Sequence, residues 1–126
     1  MGMTRIKNAQ ELKDMRESCR LLALILHELE AYLEPGMSTM DLEHKAEELF
    51  ARYQALPGFK GYNGFPNILC TSVNDEVVHA IPNKHSMNKG DILSIDCGVI
   101  VNGMNSDSAI AMVVGGETTP IAQALV

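Results

Sequence analysis

Cysteine is scarce in this sequence, basic charge is in deficit, and no long apolar run is present. Cys19, Cys70 and Cys97 are the only three cysteines of 126 residues, widely spaced and without a Cys-x-x-Cys pair. That excludes a disulfide framework and a thiolate zinc knot, and it fits a reducing cytoplasm best. Ten Lys and Arg stand against sixteen Asp and Glu, a net charge of -6 and a pI near 5.1. An acidic chain of this kind does not bind nucleic acid or an anionic membrane nonspecifically. The greasiest run, Leu21 to Leu26, is far too short to cross a bilayer. The start, MGMTRIKNAQELKDMRES, is charged and lacks the apolar core of a signal peptide. No internal repeat or low-complexity tract occurs. What remains is an ordinary globular composition, 46% hydrophobic and 21% charged, enough for one domain with a modest core.

The most informative stretch is Asp91 to Val114, DILSIDCGVIVNGMNSDSAIAMVV. It reads as a β-hairpin, with Ile92 to Val101 as one arm, Asn102-Gly103 as the turn and Met104 to Val114 as the other. Asn-Gly accepts the positive φ that a type I′ turn demands. With these two as the loop, Val101 faces Met104 and Gly98 faces Asp107. Side chains alternate with period two, so Asp96 shares the face of Gly98. Asp96 and Asp107 become a diagonal cross-strand pair, roughly 7–8 Å apart at the backbone. Leu93, Ile95, Cys97, Val99, Ile110, Met112 and Val114 take the other, greasy face. Two facing carboxylates repel, and a divalent cation between them removes the repulsion. The plainer alternative is that both face solvent on a one-sided sheet.

Asn8 and Glu11 form a capping-box pattern ahead of a long amphipathic helix, with Leu12, Met15, Cys19, Leu22, Leu26, Leu29 and Leu33 as its apolar stripe, ended by Pro35-Gly36. Ser38 and Asp41 start a second helix, with Leu42, Ala46, Leu49, Phe50 and Tyr53 as its apolar face, stopping before Pro57-Gly58. His27 and His44 have no partner motif and read as surface or packing residues. Gly58 to Pro66 is Gly-rich but matches no phosphate-loop spacing; Tyr62 and Phe65 read instead as an aromatic wall of a small apolar pocket, or simply as part of an ordered turn. Ile68 to Val73 and Val77 to Ile81 are strand candidates around an Asn74-Asp75 turn, and Pro82 to Gly90 is a polar loop. Cys70 with His79 invites a thiol-protease reading, but no orienting partner or helix N-terminus is evident. Gly115-Gly116 ends the hairpin, and Pro120 opens an apolar helix in which the sequence stops, as a truncated polypeptide would. Helices followed by strands predict an α+β layer, helices on one face of an antiparallel sheet.

Two segments, GYNGFPNILCTSVNDEVVHAIP (Gly61 to Pro82) and KGDILSIDCGVIVNGMNSDSA (Lys89 to Ala109), carry a specific order of motifs: Gly-Phe-Pro, Asn-Asp-Glu-Val-Val-His, Ile-Asp, then Asp eleven residues later. This order resembles the N-terminal half of the methionine aminopeptidases of the pita-bread metallopeptidase family, and the resemblance covers nearly the whole chain. It implies one domain over 1–126, with 1–57 helical, 58–116 loop and sheet, and 117–126 the start of a cut-off helix. It implies that Asp96 is the first carboxylate ligand of a dinuclear centre and Asp107 the carboxylate that bridges both ions. It implies that His79 hydrogen-bonds the substrate and helps stabilise the transition state, and that Tyr62, Phe65 and Cys70 form part of the pocket for the methionine side chain. Two divalent ions (Co, Mn, Fe, Zn or Ni) are implied as cofactors. The implied substrate is the N-terminal methionine of nascent polypeptides, with the ribosome as a candidate partner. Asn63 and Asn105 stand where many family members have His, neither of them a metal ligand. The family completes its site with one His and two Glu from a second half whose motifs do not occur here. From this follow weak metal binding, little activity for these residues alone, and self-association through uncovered surface. A binding module of the same fold and an Xaa-Pro peptidase are the alternatives.

Overall fold

The computed structural model describes residues 6–58, 60, 66–75, 80–116 and 120–125, without the side chains of 122, 123 and 125. The elements run α1 (Ala9–Tyr32), α2 (Thr39–Arg52), β1 (Leu56–Pro57), β2 (Leu69–Val73), β3 (Ile92–Val101), β4 (Met104–Val113) and α3 (Pro120–Leu125). Both long helices begin as their caps predict. Asn8 Oδ1 accepts from the Glu11 amide at 2.8 Å, and Glu11 Oε1 accepts from the Asn8 amide at 3.1 Å. Ser38 and Asp41 repeat the exchange on α2, at 3.2 and 2.9 Å. Each box satisfies amide donors that the first helical turn would otherwise leave open.

β3 is the central strand of an antiparallel sheet. β4 pairs along one edge of it, while β2 and β1 lie end to end along the other. The hairpin register agrees with the turn argument: Val101 opposes Met104, and Gly98 opposes Asp107. Asn102 and Gly103 take φ of 48° and 81°. Leu93, Ile95, Cys97 and Val99 are fully buried on the greasy face, and α1 lies across that face of β3 and β4. α2 packs beside α1 and against β2. The result is the α+β layer expected, helices on one face and the two aspartates on the other.

Several expectations change in detail. The buried stripe of α1 is Ser18, Leu21, Leu22, Ile25, Leu26 and Leu29, whereas Leu12 and Cys19 are exposed. The pivot is polar, so apolar periodicity cannot see it. Ser18 Oγ donates to Val99 O at 2.8 Å and lies 2.8 Å from Ser106 Oγ, and Ser106 Oγ donates to Ser18 O at 3.0 Å. This buried knot turns α1 so that Leu21 and Ile25 meet the sheet. Leu56 and Pro57 are not helical but pair with Ile100 and Val99. Pro is tolerated there because a sheet edge has no ladder bond for its missing amide to make. The 82–90 loop is not wholly polar. Met87 is buried, held where its amide donates to Met37 O at 2.7 Å and its carbonyl accepts from Gly36 N at 2.8 Å. The strand expected over Val77 to Ile81 falls mostly outside the described residues. Ala80 and Ile81 are not in a strand, although Ala80 O accepts from Thr71 N at 3.1 Å. Tyr53, expected on the apolar face of α2, is only half-buried, its hydroxyl donating to Glu28 Oε2 at 3.1 Å.

Candidate metal centre

The polar face of the sheet brings together three of the residues singled out by sequence. Cys70 on β2 stands directly opposite Asp96 on β3, and Asp96 is diagonal to Asp107 on β4 through the Gly98–Asp107 and Asp96–Ala109 pairs. The neighbours are small. Gly98 faces Asp107 without a side chain, and the small Ala109 faces Asp96. The Gly98 backbone is itself pinned from the far edge, where Gly58 N donates to Gly98 O at 2.9 Å. A Cβ on Gly58 would come within 3.2 Å of the Gly98 carbonyl carbon, so the chain passes too close there for a side chain to fit without displacement. The remaining sequence-predicted site residues, Tyr62, Phe65 and His79, lie outside the described residues, as does Asn63.

Electrostatics mark the pair as unusual. Asp96 is half-buried, and its Oδ1 is a buried oxygen with no hydrogen-bond partner among the described residues. Burial, followed by the hydrogen bond and charge of Asp107, pushes the Asp96 carboxyl up to about 7. At neutral pH Asp96 therefore carries less than its full charge unless something positive joins it. Burial, reinforced by Asp96, Asp107 and Glu43, pushes the Cys70 thiol up to about 11. Cys97 is also pushed up, chiefly by burial on the core face. Both buried thiols are neutral at physiological pH, which disfavours a thiolate nucleophile here.

An orphaned carboxylate oxygen on Asp96 and a second carboxylate on the same face fit a hard divalent cation. Asp96 and Asp107 would hold it through oxygen. Two residues do not complete a coordination shell, and among the described residues no group of three His, Cys, Asp or Glu converges on one point. Asp107 also borders a groove of about 630 Å³ between α1 and β4, floored by Leu22, Leu26 and Ile110. Cys70 does not line that groove.

Glu43 and the Ser18–Ser106 knot are the residues that sequence reasoning missed. Glu43 is 1% exposed, and its two carboxylate oxygens accept from the Ile68 and Leu69 amides at 2.9 and 3.0 Å. A glutamate inside the apolar face of α2 was the available signal, since such residues are almost never fully buried unless partnered.

Comparison with known proteins agrees with the geometry. The model of metallopeptidase family M24 matches residues 13–126. The methionine aminopeptidase of Clostridium acetobutylicum is 45% identical over 111 residues, which cover 87% of this chain and 44% of that relative. Methionine aminopeptidase 1 of Bacillus subtilis is 46% identical over 109 residues, with 86% and 44% covered. The chain thus spans less than half the length of these curated relatives. Among solved structures, the methionine aminopeptidase of Thermotoga maritima superposes with a TM-score of 0.94 at 37% identity, over 98% of this chain and 50% of that one. Aminopeptidase P of Escherichia coli shares the fold, at a TM-score of 0.80 and 22% identity. The helices and hairpin sheet are accordingly those of the pita-bread fold. The family match runs through both aspartates and almost the whole of the sequence: this chain belongs to metallopeptidase family M24.

Proposed function

We propose that this chain supplies two metal ligands and part of the substrate pocket of a methionine aminopeptidase, a metal-dependent exopeptidase that removes the N-terminal methionine of polypeptides. The observation that carries this reading is the single polar face on which Cys70, Asp96 and Asp107 meet in antiparallel register. The cofactor would be a pair of divalent ions (Co, Mn, Fe, Zn or Ni), and Asp96 and Asp107 would hold them. When bound, they supply Lewis-acid polarisation of the scissile carbonyl and a water activated at neutral pH. Asp96 and Asp107 fix the position of that chemistry through a rigid hairpin. Cys70, beside Asp96, gives the pocket wall a soft, neutral sulfur suited to a thioether, and Tyr62 and Phe65 complete the wall. His79 hydrogen-bonds the substrate next to the amide that is cleaved. The remaining ligands come from beyond the residues described, so these two carboxylates alone bind metal weakly. Nascent chains are the natural substrate class. The ribosome is the partner this implies and the cytoplasm the matching compartment; no described helix is long and apolar enough to cross a membrane.

The test is methionine release from a Met-Ala-Ser peptide with Mn, Co or Fe added, alongside an Xaa-Pro peptide. These 126 residues by themselves give little release. Supplying the complementary half of a relative restores metal-dependent cleavage of the methionyl peptide, and Asp96→Asn abolishes it. Preferred cleavage before proline would move the reading to the Xaa-Pro peptidases. Metal-dependent release that survives Asp96→Asn would remove the centre from this hairpin.

A further inference from the structure

The site described so far leaves a buried carboxylate without a role. Glu43 sits in the second turn of α2, 1% exposed, on the face that packs toward the sheet. No salt bridge among the described residues includes it. Its fork of oxygens is spent on two successive backbone amides, Ile68 and Leu69, at 2.9 and 3.0 Å. Carboxylate-to-amide bonds of this kind are charge-assisted and directional. A buried carboxylate kept for two amides does something that an apolar residue cannot do.

What it holds is the outer edge of β2 at its first residues. Along this edge the Thr71 amide is taken by Ala80 O, while the Leu69 amide, which no strand among the described residues reaches, is taken by Glu43. The next residue is Cys70, opposite Asp96. Leu69 faces the core and is fully buried, so the side chain on the other face at Cys70 follows directly from where the Leu69 backbone is fixed. We infer that Glu43 is a positioning residue: it clamps the start of β2 to α2, and so sets Cys70 against Asp96 and the geometry of the pocket wall beside the metal ligands. It touches neither substrate nor metal. The role in the pocket rests on the proposed function, but the clamp itself does not.

The test uses the three cysteines as reporters, with alkylation by iodoacetamide mapped by mass spectrometry in wild type and Glu43→Gln. Gln keeps the shape and one acceptor but loses the charge and the second oxygen. Losing a hydrogen bond to a charged group corresponds to about a tenfold change in local opening. The expected result is about tenfold faster labelling of Cys70, with Cys97 still protected and exposed Cys19 unchanged. Equal acceleration at Cys70 and Cys97 would show a general loss of stability, and unchanged Cys70 would show no clamp; either result overturns the inference. If Glu43→Gln does not fold, hydrogen exchange on wild type decides the matter. The Ile68 and Leu69 amides must exchange as slowly as ladder amides of β3, and fast exchange at both overturns the clamp. In a preparation that releases methionine, Glu43→Gln raises KM for the methionyl peptide severalfold at unchanged kcat, and a fall in kcat alone counts against a pocket role. Absence of methionine release even with the complementary half and metal supplied, with the labelling pattern intact, sinks the proposed function but not the clamp.

Discussion

At the scale of single residues, Asp96 carries the clearest consequence. Its carboxyl is held at about 7 by burial and by Asp107, well above the ordinary value near 4. Below pH 4 it is protonated in the folded and unfolded chains alike. Between 4 and 7 the unfolded chain has lost the proton and the folded chain still holds it. The folded state then binds more protons, so stability declines as pH rises, and the loss is complete above about 7. Protons and metal compete for the same oxygens, so metal affinity runs the opposite way and rises through the same window. Urea midpoints measured at pH 5 and 8 with a chelator present, for wild type and Asp96→Asn, isolate this group from the other acids. The wild type is expected to lose ground to the variant at the higher pH, and added Mn to recover it for the wild type only. A difference between the two proteins that does not move with pH would mean that Asp96 is an ordinary exposed acid. Ser18 offers a second residue-scale prediction. Ser18→Ala removes the hydroxyl that donates to Val99 O, leaving a buried carbonyl short of its best donor, at a cost of about 1–2 kcal/mol in denaturant unfolding. A neutral result would mean that Ser106 alone holds the knot.

At the scale of elements, legibility divides by how local the deciding contact is. Asn102-Gly103 settles the turn within two residues, and because strand side chains alternate, the turn alone places Asp96 and Asp107 on one face. The Asn8–Glu11 and Ser38–Asp41 boxes are equally local, and both helices start where their letters say. The errors all have distant partners. Ser18 finds Val99 and Ser106 from 81 and 88 residues away, and Glu43 finds Ile68 from 25 residues away. Leu56-Pro57 becomes a strand only because β3 leaves an edge open beside it. None of these can be seen in a window of ten or fifteen residues. The hairpin argument itself is open to test. Gly103 has φ of 81°, a backbone that a β-branched residue strongly resists. Gly103→Val is expected to destabilise the protein by about 1–2 kcal/mol. Where the chain relieves the strain by slipping one residue, Asp107 turns to the core face and the carboxylate pair is lost. Calorimetric titration with Mn should then show weaker or absent binding for Gly103→Val. Unchanged stability together with unchanged binding would show that the register is held by the strands and not by the turn.

At the scale of the whole molecule, one edge of the sheet is open among the described residues. β4 pairs with β3 on one side, and among the described residues nothing pairs with the other. Asn105, Asp107, Ser108, Ala109 and Ala111 along it are exposed, and a ten-residue edge with unpaired backbone groups is a template for another strand. Opposing this is the net charge of -6, which makes two copies repel. The two effects have different ranges. Backbone pairing acts only at contact, while repulsion between exposed charges is screened by salt over about 10 Å at 0.1 M. Association of these 126 residues should therefore rise with concentration and rise further with added salt, the reverse of what ion pairing between copies would give. Sedimentation velocity at low and high salt measures it. Ala111→Lys supplies the control: it lowers the net negative charge, which by itself favours association, yet it places a lysine on the open edge, which disfavours strand pairing. If the edge is the contact, the variant stays monomeric at concentrations where the parent associates. If the variant associates more strongly, repulsion alone was limiting and the contact lies elsewhere on the surface.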